Sequence, residues 1–211
     1  MSDGRGPVLS ASQAETLWRP QADEAVLWQG APDAMVLART AFRTPVIAGY
    51  FVLLAAMPFL FGGSMGGAAL TLLAGAGVMA ILYAMAFTSA RTTRYILTDR
   101  RIILHVGMAI EKTINLPLAK IGAADLADRG HGYGEIALEV IGGHSLGYLL
   151  LWPHARPWRF SHPQPMMRGL PDAAAVAERL AKAVAAHNRI ERPDAKPAPA
   201  TPTPTIEGAL A

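Results

Sequence analysis

The chain of 211 residues has no cysteine. Disulfides, thiolate nucleophiles and Cys-ligated metal or iron–sulfur centres are therefore excluded. It also lacks the G-x-S-x-G, Walker A and glycine-rich dinucleotide patterns, and no nucleic-acid-binding motif is present. The largest absence is of charge. From Pro45 to Ala90, a run of 46 residues, there is no Asp, Glu, Lys, Arg or His. Such a run holds no proton relay, no ion path and no axial histidine for a tetrapyrrole.

A helix that crosses a bilayer needs roughly 20 apolar residues. The uncharged run is too long for one such helix and suits two. The stretch "FGGSMGG", Phe61 to Gly67, divides it, because clustered glycines favour a turn. The expected spans are about 45–61 and 68–90, with Pro45 suited to a first helical turn. Arg39 and Arg43 precede the first span, and Arg91, Arg94, Arg100 and Arg101 follow the second. The uncharged connection between the spans then lies outside, and both termini are cytoplasmic by the positive-inside rule. Residues 1–44 show no short apolar core with a cleavage site, so the first span is expected to act as an uncleaved insertion signal. Small residues recur at four-residue spacing in the second span: Gly67, Thr71 and Gly75, and separately Ala76, Ala80 and Ala84. Such rows let helices approach closely, either within the hairpin or onto another protein's helix.

The rest of the chain is ordinary in composition but unequal in charge. Residues 91–189 carry thirteen Lys/Arg and eight Asp/Glu. A basic excess beside an apolar run points to anionic lipid or to topology, not to nucleic acid. Arg91, Arg94, Arg100 and Arg101 are the expected membrane-surface set. Thr92–Thr98 and the face of Ile102, Leu104 and Val106 read as a hairpin turned at "TDR". Further strands are expected at about 110–116, 122–126, 136–141 and 146–152. The last pair shows alternation in Ile136, Leu138 and Val140, then Leu146, Tyr148, Leu150 and Trp152, about a "GGHS" connection. Glu139 and His144 in that stretch argue against a third span. Many short strands imply a small barrel or sandwich. A helix opening at Pro171 and Asp172, with Val176, Leu180 and Val184 as its stripe, is expected to cap it. The tail from Ile190 is rich in Pro, Ala and Thr and is expected to be extended.

The histidines offer little chemistry. His131 lies near Asp128 and Glu135, but Gly130, Gly132 and Gly134 make that segment a turn, and no metal is expected there. His105 reads as a surface residue. His144 and Ser145 are strand neighbours and would point to opposite faces. The most unusual soluble stretch is Pro153–Gly169, "PHARPWRFSHPQPMMRG", broken by proline and carrying Arg156, Trp158, Arg159, Phe160 and Arg168. Three readings stay open. It wraps the domain with Trp158 and Phe160 packed down, or it forms a partner surface, or it seats Trp in headgroups and Arg on phosphates.

"TRYILTDRRIIL" followed by "INLPLAKI" resembles the bacterial pleckstrin-homology-like domain of membrane-anchored proteins. With "LWQGAPD" ahead of the hairpin, and "WPHARPWRF" and "PMMRGLPDA" after it, the chain resembles the PuhB-type photosynthetic-complex assembly proteins of purple bacteria from about Glu24 to Val184. The resemblance implies an α+β membrane protein, with a two-helix transmembrane hairpin followed by a PH-like small β-barrel capped by a C-terminal helix. The expected division is 1–44 as a cytoplasmic N-terminal segment, 45–90 as the hairpin, 91–189 as the PH-like domain and 190–211 as a disordered tail. The implied role is assembly of the photosynthetic reaction centre and core light-harvesting complex in the bacterial inner membrane. It would act by binding client subunits, with no cofactor and no catalysis. The expected partners are reaction-centre and core antenna subunits and inner-membrane lipid, with a second copy of the chain also possible. The alternative is a general membrane-anchored module that binds anionic lipid or envelope proteins.

Overall fold

The computed structural model describes residues 19–107, 112–142 and 147–191. Two long apolar helices, α2 (Thr44–Phe61) and α3 (Met65–Thr92), form an antiparallel hairpin. Pro45 occupies the first turn of α2, Gly62 ends it with φ 73°, and the Ser64 side chain caps α3 by accepting from the Gly67 N–H at 3.1 Å. The turn is thus Gly62–Ser64, and the next two glycines begin the second helix. Both helices are long and apolar enough to cross a membrane, and only 11% of each apolar window is covered by protein. A core helix of a soluble domain would be mostly covered.

The small-residue rows separate in the structure. Gly75 is buried against Phe51, where an added Cβ would lie 2.8 Å from that ring's Cβ and Cγ. Gly67 is exposed, and the Thr71 hydroxyl donates back to its carbonyl at 2.9 Å. Ala76, Ala80 and Ala84 are exposed on α3. Hairpin packing therefore uses Gly75 and leaves the alanine row uncovered among the described residues.

The hairpin is flanked by sheet structure on both sides in sequence. β1 (Val26–Gly30) pairs with β2 (Arg94–Thr98), which continues to β3 (Arg101–Val106) and β4 (Lys112–Pro117) in one antiparallel sheet, order β1-β2-β3-β4. A second antiparallel sheet holds β5 (Ile121–Gly130), β6 (Tyr133–Val140) and β7 (Met166–Pro171). The two sheets are separate and no closed barrel forms among the described residues. Their facing side chains, including Tyr95, Leu104, Leu116, Ile136, Leu138 and Leu170, make one core. The amphipathic helix α5 (Ala173–Glu191) covers this core with Ala173, Val176, Leu180 and Ala183. Helix and stripe are as the pattern predicts, though the helix runs on past Ile190 to Glu191.

Three departures have physical reasons. Residues 26–30, within the expected N-terminal segment 1–44, form a strand that joins the sheet. They are followed by α1 (Ala34–Thr40), capped by Asp33, whose carboxylate accepts from the Met35 and Val36 N–H groups at 2.9 Å. Leu37, Ala38 and Phe42 pack α1 on Ala86 and Ala90, in the last turns of α3. Within the expected strand at 146–152, Tyr148–Leu151 form a short helix, α4. The strand beside β6 is β7. It shows no alternation because Met166, Met167, Arg168, Gly169 and Leu170 are all buried. The expectations for Ile110, His144, Ser145, Leu146 and residues 192–211 lie outside the described residues.

Gly169 joins the pieces. Its φ is 59°, its carbonyl accepts the Asp33 N–H at 2.9 Å, and an added Cβ would sit 3.1 Å from the Asp33 backbone N and O. Gly169→Ala is expected to destabilise the protein by about 1–3 kcal/mol through left-handed strain and crowding. Gly77→Ala, with open space around it, is the control. Thermal unfolding of the detergent-solubilised full chain checks both, and equal melting temperatures for the two variants would refute the argument.

Candidate functional site

The junction between hairpin and sheets is built around His154, a residue that sequence patterning left as one histidine among six. It is 1% exposed. Its Nδ1 lies 2.7 Å from the Tyr95 hydroxyl. Its Nε2 lies 3.1 Å from the Thr93 Oγ1 and 3.3 Å from the Ser89 Oγ. The Tyr95 oxygen already accepts the Arg168 backbone N–H at 3.2 Å. Burial pushes the Tyr95 hydroxyl pKa up, so the phenol keeps its proton and donates it to Nδ1. That assigns the Nε2–H tautomer, which donates to the hydroxyls of Ser89 and Thr93 at the end of α3. Burial and the Arg168 charge hold His154 down to about 3, so it is neutral.

Arg168 lies beneath. It is 3% exposed, so the expectation that it belongs to an exposed partner surface is corrected. Its Nη2 donates to the Ala155 carbonyl at 3.0 Å, and its Nη1 is 3.8 Å from Glu135 Oε1, an ion pair too long for a hydrogen bond. Glu135 is fully buried where the β6–β7 register shifts, and Arg129 Nε donates to its other oxygen at 2.9 Å. Burial lowers the Arg168 pKa while Glu135 raises it, so the carboxylate keeps the guanidinium charged. Arg168 Nε and Glu135 Oε1 have no hydrogen-bond partner in the described structure.

Above Arg168 opens a cleft of about 200 Å³. One wall is the end of α1 with Thr40, Ala41 and Arg43. The other is the loop after α4, with Trp152, Pro157, Trp158 and Phe160. Trp158 is 79% exposed with φ 64°, and Phe160 is 60% exposed, resting on Tyr148 at 4.7 Å between ring centroids. The reading that packs both rings into the core is therefore excluded. Trp152 meets Phe42 edge-on at 5.2 Å. Arg156 is pinned, donating to Asp125 and, at 3.0 Å, to Gln164 Oε1. Arg159 is exposed at the loop's tip.

The expected membrane-surface arginines divide. Arg91 lies over the Phe87 ring at 4.1 Å, and Arg94 donates to the Thr93 carbonyl at 2.9 Å, both at the α3–β2 junction. Arg100 and Arg101 sit beyond the opposite end of β2. There they pair with Asp23 at 2.8 Å and Glu24 at 3.0 Å. Tyr95 to Thr98 and the turn at Asp99 stand between Arg94 and Arg100, about 13 Å of strand, so the two pairs do not form one face. His105 pairs with Thr113 across β3 and β4 at 3.1 Å. His131 is an exposed turn residue with φ 56°. Asp128 accepts the Gly130 N–H at 2.8 Å. With Glu135 already held by Arg129, these three do not converge, and no group of metal-ligating side chains occurs among the described residues.

The two-sheet core with its covering helix is matched by a family model described as "Bacterial PH domain" over residues 46–184. The chain belongs to the bacterial PH domain family. A relative from Rhodobacter capsulatus, described as "Uncharacterized 23.7 kDa protein in puhA 5'region", is 37% identical over 189 residues, covering 85% of this chain and 87% of that protein. No solved structure matches the chain. In this bacterial PH domain protein the matched region takes in the hairpin as well as the sheets, in keeping with the hydrogen bonds that join them.

The neutral His154 gives a measurable signature. Free histidine titrates near 6.5, and His154 is held down to about 3. Between those values the unfolded chain binds a proton that the native chain refuses, so stability rises with pH through that window and is lost as pH falls through it. The slope from this group approaches about 1.4 kcal/mol per pH unit. Melts of the full chain at pH 7.5 and 5.0 should differ in wild type. The His154→Gln protein should be less stable at both and should lose this component of the slope. An unchanged slope would contradict the buried neutral imidazole.

Proposed function

We propose that this protein is a PuhB-type assembly factor, inserted in the bacterial inner membrane through α2 and α3, that holds subunits of the photosynthetic reaction centre and core antenna during assembly. The observation that carries the reading is the relative encoded in the puhA 5' region, a reaction-centre gene region, which the chain matches over most of both lengths. The structure supports it in kind. Two apolar helices lack a protein cover, and an aromatic and basic loop stands exposed on the domain that adjoins their ends. In this reading both termini are cytoplasmic and the action is binding, with no bond chemistry. Arg159, Trp158 and Phe160 form the client contact, since Trp and Arg are frequent interface anchors, and Arg156 holds the loop through Asp125 and Gln164. The exposed row Ala76, Ala80 and Ala84 is available to a client's helix.

A second reading, a membrane-anchored module whose business is anionic lipid itself, is favoured by Arg91 and Arg94 at the end of α3. Affinity purification from photosynthetically grown membranes in mild detergent separates the two. Reaction-centre or antenna subunits in the eluate support assembly, and their absence supports the lipid module. Because Trp158 is exposed, Trp158→Ala should change stability by less than about 0.5 kcal/mol. Client capture should fall by roughly 2 kcal/mol or more if Trp158 is an anchor. Undiminished capture by that variant would remove the loop from the contact.

Topology has its own test in this cysteine-free chain. A cysteine at Ser64 should react with an impermeant reagent from the periplasmic side, and one at Ala185, exposed on α5, should not. Reaction at Ala185→Cys from that side would place the domain on the other face.

A further inference from the structure

We propose that the cleft between α1 and the Trp158 loop binds the headgroup phosphate of an anionic membrane phospholipid. The inference rests on the membrane reading of α2 and α3, not on the assembly role. It begins with where the cleft lies. Arg43, on its wall, is the residue immediately before α2. Thr40 and Ala41 are within one turn of it, and Trp152, also on the wall, touches Phe42. The helix that carries Thr40 packs on the last turns of α3. A cleft whose wall ends at Arg43, immediately before α2, and whose helix α1 rests on the last turns of α3, opens at the level where the bilayer's headgroups stand.

The chemistry of the lining selects the ligand. Arg43 and Arg168 both line the cleft, and no carboxylate does. The nearest acid, Glu135, lies behind Arg168 at 3.8 Å and is already engaged by Arg129. Arg168 is buried, and its Nε lacks a hydrogen-bond partner in the described structure. The Thr40 Oγ1, also on the lining, is buried and likewise lacks one. Both side chains can donate, and a buried donor left unpaired is costly. A phosphodiester supplies acceptor oxygens and a single negative charge, which two guanidinium groups and a hydroxyl can meet together. An apolar client side chain would leave both groups unpaired.

Size and rim agree. At about 200 Å³ the cleft is smaller than the roughly 300 Å³ at which sites enclosing whole small molecules begin. It suits a phosphate with its glycerol. Trp158 and Phe160, both largely exposed, form the outer rim. Exposed Trp beside Arg is the side-chain pair that settles at a bilayer interface. Trp158 and Phe160 edge the cleft with one side, and their exposed outer sides, with Arg159, remain available to a client.

The test uses the full chain. Wild type, Arg43→Gln, Thr40→Val and Arg100→Gln are reconstituted in nanodiscs of equal phosphatidylcholine and phosphatidylglycerol. They are re-extracted in mild detergent, and the retained lipid is measured by native mass spectrometry. Alkaline carbonate extraction of the source membranes is run first. Loss of wild type from the pellet refutes the membrane reading, and with it this site, whatever lipid is later retained. Retention in the pellet leaves the cleft to be judged by its variants. The expected result is selective retention of phosphatidylglycerol by wild type. Arg43→Gln and Thr40→Val should each weaken it by about tenfold, a charge-assisted contact's share. Arg100→Gln, paired with Asp23 at the far end of β2, should behave as wild type. Equal retention of the two lipids, retention untouched in both cleft variants, or an equal loss in Arg100→Gln would overturn the proposal. Displacement of the lipid by millimolar inorganic phosphate would also overturn it, by assigning the cleft to the free ion.

Discussion

The hydrogen bonds about His154 hold the molecule together as one object. The ring receives a hydrogen bond from Tyr95 in β2 and gives one to Ser89, in the last turn of α3, and to Thr93, just past it. Tyr95 in turn accepts from the backbone of Arg168 in β7. The adjoining ends of α3 and β2 are thereby tied to a histidine about sixty residues downstream and, through Tyr95, to β7. None of these groups is exposed to water, so each bond lost would leave a buried polar atom alone. This explains why a polar cluster is placed where an apolar plug would also fill space: an apolar plug would not select one angle between helix and sheet. Directional bonds do.

A second buried arrangement depends on the first. Glu135, Arg129 and Arg168 form a charged row across the second sheet, with Glu135 fully covered. Burying charge is unfavourable unless it is paired, and here the pairing on the Arg168 side is loose at 3.8 Å. Structures carry such arrangements when position matters more than stability. Arg168 lines the cleft, and Tyr95, itself bonded to His154, accepts the N–H of the backbone from which it projects.

Much of the architecture was legible from pattern alone, and what was not had a common cause. The hairpin was plain because 46 residues without charge leave few alternatives. The β2–β3 pair was plain because Ile102, Leu104 and Val106 alternate toward a single core. The C-terminal helix announced its stripe. β1 and β7 were hidden: β1 sits on the far side of the hairpin from its partner in sequence, and β7 is buried from Met166 to Leu170 with an arginine in its middle. Alternation fails as a signal when both faces are covered. At the site, Trp158 and Phe160 were singled out by composition and are exposed, yet the choice between core and surface needed coordinates. Arg168 was placed outside because arginine usually is. His154 had no signal of any kind: its partners stand roughly 60 residues upstream, and nothing local marks a histidine as a joint.

Only Thr93 separates the end of α3 from the start of β2. A longer connection would let the sheets swivel like a weight on a string. A single residue, itself hydrogen-bonded to Ser89 and His154, makes the helix and the sheet one lever. Any lean of the hairpin is then a lean of the domain, and the loop that carries Trp158 keeps a fixed compass bearing about the hairpin axis. A neighbour approaching in the plane of the hairpin's ends meets that loop from one side and the opposite surface from the other. The protein has a front and a back, held at one angle to the hairpin.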